Sequence, residues 1–180
     1  MGWLVSLLTH HSFLIPFPFL LLPSTFYPFP INARPVYNHP MADFRFQCPI
    51  EIRYADLDPQ GHVNNAKFLT YFEQARVNYL IQLGLFGKDQ SFLDVGIILA
   101  DAHVTYLAPV RWGMDVRVGA RVTRLGNKSM TMEYELAEAA GQAVLATGSS
   151  VLVAFDYRKQ QTIPLPQIWR EKISEFEGLD

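Results

Sequence analysis

Residues 53–76 read RYADLDPQGHVNNAKFLTYFEQAR, and the spacing of apolar residues changes halfway along them. The first half, Asp56 to Asn65, is polar and rich in turn formers. Beyond it, Phe68, Phe72, Ala75, Tyr79 and Leu83, with Tyr71 and Leu80 beside them, recur at helical i, i+3, i+4 intervals. That is the stripe of a helix buried on one face. Asn64 or Asn65 suits the N-cap, because a short side-chain oxygen can accept from first-turn amides. Gly84 follows the last apolar position, as a C′ glycine does.

Working outward, the flanks read as sheet. Phe44 to Tyr54 (FRFQCPIEIRY) alternates apolar and polar residues and predicts a strand, with Pro49 marking an edge or a bulge. Downstream, Ile97 to Val110 is a long run ended by Pro109. Asp115 to Leu125 sets Val116, Val118, Ala120 and Val122 against Arg117, Arg121 and Thr123. Gly126-Asn127 turns into Met130, Met132, Tyr134 and Leu136, which alternate with Thr131, Glu133 and Glu135. Ala140-Gly141 turns again into Ala143 to Tyr157. Turns this short join antiparallel neighbours, so a meander is expected. Pro166 to Phe176 suits a short closing helix. The layout is α+β: a curved antiparallel five-stranded sheet wrapped around one long helix.

Composition divides the 180 residues at about position 40. Residues 1–40 hold one charged side chain, Arg34, of the chain's 32 (15 basic plus 17 acidic), and seven of its 12 prolines. This apolar leader has no preceding Lys or Arg, as a secretory signal would. Its prolines break every helix long enough to span a bilayer. Three readings stand: an over-extended start with Met41 as the natural first residue, a targeting segment, or a functional arm. The remaining 41–180 suit one domain with a real core. A net charge of −2 offers no footprint for nucleic acid or an anionic membrane. The single cysteine, Cys48, excludes an intramolecular disulfide and a Cys-based zinc cluster, and it fits a cytoplasmic, reducing setting.

Phosphate loops, dinucleotide loops, zinc-protease helices and serine elbows are all missing. Asp56-x-Asp58-x-Gln60-Gly61 starts like a calcium loop, but position 12 would be Lys67 where a bidentate carboxylate is needed. No metal or cofactor is called for. What survives is the junction. Asp58 sits in a loop seven residues before Asn65, at the helix start, where backbone N–H groups lack internal partners and meet the positive dipole end. A carboxylate beside such donors is a minimal apparatus for acyl transfer: Asp58 as nucleophile or base, and helix amides for the tetrahedral oxyanion. Gly61 allows close backbone approach, Pro59 stiffens the turn, and His62 can orient a ligand or Asp58. Asp-Pro-x-Gly is also an ordinary turn sequence, so the residues alone leave both readings open.

The stretch D-x-D-P-x-G-x-V-N-N leading into Y-F-E-x-A-R resembles the signature of hotdog-fold acyl-CoA thioesterases of the 4-hydroxybenzoyl-CoA thioesterase-like family. The resemblance covers roughly residues 44–160. It implies that Asp58 is the catalytic carboxylate and that the Asn65 amide is the oxyanion donor. It also implies an acyl-CoA substrate, and subunits that pair their sheets and share each site. Lys67-Phe68 departs from the aromatic-rich pair of many relatives. Glu73, the catalytic carboxylate of a sister hotdog group, is equally an ion-pair partner for Arg76. His62 is divided between active-site contact and turn hydrogen bonding. Asn64 is expected to cap or brace, and Asp56 to hydrogen-bond the loop. Lys128 and Ser129 resemble a family position near the nucleotide, with Arg124 and Arg158 as basic neighbours. Met130, Met132 and the helix aromatics read as core, acyl pocket, or both. Alternatives to hydrolysis are a non-catalytic acyl-CoA-binding hotdog subunit and a hotdog dehydratase. The histidine settings of the latter do not occur here.

Overall fold

Val116, Val118, Ala120 and Val122 are all buried, because alternate residues of a strand point to one face and that face meets the helix. The computed structural model describes residues 44–87, 93, 96–140 and 143–179. The leader, Met41 and Gly141 of the second expected turn lie outside the described residues. In order come β1 (Phe46–Ile50), a 3-10 turn (Tyr54–Asp56), α1 (Asn65–Gln82), β2 (Ile97–Tyr106) and β3 (Val116–Leu125). They are followed by β4 (Ser129–Glu138), β5 (Val144–Asp156), β6 (Gln161–Thr162) and α2 (Gln167–Glu177).

All strand pairs are antiparallel, in the order β1-β3-β4-β5-β2, with β6 on the end of β5. The class is α+β as expected, with six strands among the described residues where the sequence predicts five. The sixth is a two-residue return, Phe155↔Thr162 and Asp156↔Gln161, too short to leave a period. Only β3-β4-β5 form the expected meander. With β1 and β4 on its two edges, β3 has no place for β2, which crosses to the free edge of β5. The first strand ends at Ile50, because Tyr54–Asp56 wind into the 3-10 turn. β2 ends at Tyr106, because the Leu107 and Ala108 amides both turn to the Leu145 carbonyl, at 2.9 and 3.0 Å. Pro49 pairs with Arg117 on the edge strand β1, where a missing N–H costs no second ladder bond.

α1 lies across the sheet face. Phe72 stacks on Tyr134 with centroids 4.9 Å apart, and Tyr79 meets Phe46 edge-on at 5.6 Å. The approach is close enough to require Gly148: a Cβ there would stand 2.5 Å from Phe72 Cε2 and 2.9 Å from the His103 carbonyl. α2 closes the far end of the helix. Its Glu177 accepts from Tyr79 Oη at 2.6 Å and from the Val122 amide at 3.1 Å, while Lys172 donates to the Leu83 carbonyl at 3.0 Å.

Candidate active site

The polar loop between the 3-10 turn and α1 closes on itself through backbone bonds. Asn64 N donates to Asp56 O at 2.8 Å, Leu57 and Val63 bridge, and Asp58 N donates to His62 O at 2.8 Å. Val63 N donates to Val110 O at 2.8 Å, so the β2–β3 connection braces the loop from outside. Gly61 adopts φ 77°, with nothing within 4 Å of a built Cβ. It is needed for conformation rather than for the close approach expected from the sequence.

Asp58 is half-buried, and its Oδ1 is held by its own turn. Gln60 N donates to it at 2.9 Å, and His62 N at 3.4 Å. Oδ2 has no hydrogen-bond partner among the described residues. One oxygen is thus spent on orientation and the other is presented. His62 reaches Asp58 through its backbone N–H and carbonyl; its imidazole makes no hydrogen bond among the described residues.

α1 begins where the sequence places it. Asn64 is the N-cap, its Oδ1 accepting from Ala66 N at 3.0 Å, while its carbonyl accepts from Lys67 N at 2.9 Å. That leaves the amide of Asn65, the first helical residue, without a partner among the described residues. It is an unsatisfied N–H at the positive end of an 18-residue helix. Tyr106 Oη donates to the Asn65 carbonyl at 3.0 Å and Phe68 meets Tyr106 edge-on, which fastens the end of β2 to this helix start.

Beneath the loop lies a cluster the sequence hid. Asp56 is fully buried, and its carboxylate receives Arg53 N, Nε and Nη2 at 3.1, 3.2 and 2.9 Å. Tyr71 Oη donates at 3.1 Å and Lys67 Nζ stands at 3.5 Å. Hydrogen bonding from Arg53 outweighs desolvation and holds the Asp56 carboxyl down at about 2. Burial, reinforced by the bond to Asp56, pushes the Tyr71 phenol up. An Arg three residues before an Asp hints at the ion pair; nothing local announces Tyr71, fifteen residues on.

Other expected site residues lie elsewhere. Glu73 is exposed and pairs with Arg76 at 3.2 Å, the ion-pair reading. The pair also walls two cavities beside α1, of about 130 and 380 Å³, which share Glu73, Arg76 and Leu99. Lys128 and Ser129 lie at the β3–β4 turn, at the opposite end of β3 from the Asp58 loop, and β3 itself is ~30 Å long for its ten residues. There Lys128 Nζ donates to Thr162 Oγ1 at 3.0 Å. Arg124 and Arg158 are exposed at the same end.

Among the described residues, one long helix laid on an antiparallel sheet is the hotdog arrangement. The family model of the thioesterase-like superfamily matches residues 52–173, and the chain belongs to that superfamily. A solved thioesterase of Thermus thermophilus, complexed with coenzyme A and Zn, is similar at 34% identity and a TM-score of 0.66. That likeness covers 76% of this chain and 97% of that one. The long-chain acyl-CoA thioesterase FadM of Escherichia coli (strain K12) is 25% identical over 72% of this chain and 98% of its own length. The 1,4-dihydroxy-2-naphthoyl-CoA hydrolase of Synechocystis sp. is 25% identical over 71% of this chain and 93% of its own. Among the described residues, no helix is long and apolar enough to cross a membrane.

Proposed function

We propose that residues 41–180 form a cytoplasmic acyl-CoA thioesterase, hydrolysing the thioester to free acid and CoA without a metal. One juxtaposition carries the reading. The loop that presents Asp58 Oδ2 closes onto the helix turn whose first amide, Asn65 N–H, is unpartnered. The carboxylate acts by one of two balanced routes. As base it takes a proton from water, whose oxygen adds to the carbonyl carbon. As nucleophile it adds directly, and water then opens the mixed anhydride. In both, the carbonyl oxygen gains charge against the Asn65 amide, and the C–S electron pair leaves on the CoA thiol. His62 and Gly61 shape the turn, and Asn64 caps the helix beneath the substrate.

The Lys128 end is too far from Asp58 to serve the same chain's substrate. β2 offers the solution. Among the described residues it is an unpaired edge ten residues long, with Ile98, Leu99 and Tyr106 exposed. An antiparallel two-fold pairing of β2 with a second copy lays the Ile97 end of one strand beside the Tyr106 end of the other. The partner subunit's Lys128 and the partner subunit's Ser129 then reach the side on which CoA phosphates would lie.

Thiol release from short, long and aromatic acyl-CoAs tests the activity. Turnover is expected in the wild type and lost in Asp58→Asn with CoA still bound; equal turnover in that variant sinks the mechanism. Lys128→Gln should raise KM for acyl-CoA several-fold, yet leave the N-acetylcysteamine thioester of the same acid unaffected. An equal effect on both would refute the nucleotide role.

A further inference from the structure

Asp56 receives more donors than a turn requires. Burying a carboxylate costs several kcal/mol unless charges and hydrogen bonds replace its water, and an Asp-Pro-x-Gly turn forms without any such device. Here the carboxylate collects Arg53 from the exit of β1, Lys67 from the first turn of α1 and Tyr71 from its second turn. Its backbone does the rest. Asp56 O accepts from Asn64 N at 2.8 Å and Asp56 N donates to Arg53 O at 2.9 Å, so one residue fixes both ends of the 57–63 loop. Asp58 lies two residues beyond Asp56, and Asn65 one residue beyond Asn64.

We infer that Asp56 is a positioning residue for the reaction. Through Arg53, Lys67 and Tyr71 it locks the Asp58 loop to the start of α1, setting the separation between the Asp58 carboxylate and the Asn65 amide. Asp56 does not touch substrate, for its side chain is fully buried. It acts because the nucleophilic or basic oxygen sits on the loop while the oxyanion donor sits on the helix, and Asp56 is the buried charge bonded to both elements. A misplacement of about 1 Å between reacting groups can cost roughly a hundredfold in rate. Hydrogen bonds from Arg53 keep the carboxyl ionised through the whole neutral range, so the clamp stays closed wherever the enzyme works.

The inference rests on the hydrolase reading, and its test keeps the two apart. On the full chain, thiol release is measured for Asp56→Asn and for the near-isosteric Tyr71→Phe, together with hydrogen exchange of the backbone amides. We expect kcat to fall about tenfold to a hundredfold in Asp56→Asn and about threefold in Tyr71→Phe, with KM within twofold. Exchange at Gln60 and His62, the amides that hold Asp58 Oδ1, should quicken while the interior of α1 stays protected. Unchanged kcat in both variants, while Asp58→Asn is inactive, overturns the positioning role and leaves hydrolysis standing. A kcat loss that tracks loss of protection throughout α1 also overturns it, since that marks a merely structural residue. A wild type that releases no thiol sinks hydrolysis, and the positioning role with it.

Discussion

The two ends of α1 have been finished in opposite ways. At the C-terminus, Gly84 turns left-handed at φ 63°, and Lys172 donates to the Leu83 and Gly84 carbonyls at 3.0 and 3.4 Å. A cation thus answers the negative dipole end, as stability requires. At the N-terminus, Asn64 accepts from Ala66 and Lys67, and among the described residues neither the Asn65 amide nor Asp58 Oδ2, on the loop that leads into the helix, has a hydrogen-bond partner. The contrast is between a terminus whose carbonyls are answered by a cation and one whose first amide has no partner among the described residues.

Breaking the open end should matter most. Asp58→Asn is expected to lower kcat roughly a thousandfold while the melting temperature holds, checked by thiol release and thermal unfolding of one preparation. Next comes the support beneath it. Asp56→Asn should cost about 2 kcal/mol in denaturant unfolding, below the usual cost of a broken buried pair because Arg53 remains 59% exposed and can be rehydrated.

The same carboxylate predicts an acid signature. Its folded pKa, about 2, lies below the ordinary 3.8, so its stabilisation is complete above pH 3.8 and is lost as pH falls towards 2. The stability difference between wild type and Asp56→Asn should therefore shrink across that window. A constant difference from pH 5 to pH 2 would show that the ion pair is not what stabilises the loop.

The smallest effects sharpen the comparison most. Asn64→Ala removes the N-cap and Lys172→Met removes the C-terminal cation, each at about 1 kcal/mol. Only the first should reduce turnover if, as proposed, that end of the helix meets substrate. Matching kcat losses in the two variants would erase the distinction between the ends.

Much of the open end was legible from residues near one another. The stripe from Phe68 to Leu80, the Asn64 cap and the Gly84 stop are short-range signals, and each stands in the structure as read. The Asp58 turn was legible for the same reason. Its chemistry stays open on the residues alone, because an ordinary Asp-Pro-x-Gly turn and an acyl-transfer carboxylate read alike. Asp56 was read as a loop hydrogen-bonder, yet the extent of its network depends on Tyr71 coming round on the second turn of a helix whose packing is set by Phe72 on Tyr134. The position of β2 was misread because strand order is decided by which edges remain free, and a β-strand does not carry that information in its own alternation.

By itself, then, the sequence determined the helix, its two termini, the Asp58 turn and the alternating faces of the strands. All of these are set by steric and capping preferences within a few residues. Only the tertiary structure decided that Arg53, Lys67 and Tyr71 converge on one buried carboxylate, that β2 is the end strand of the sheet among the described residues, and that Lys128 stands at the other end of the sheet from Asp58. Those arrangements come from backbone pairing and side-chain packing between segments far apart in the chain, where no local pattern reaches.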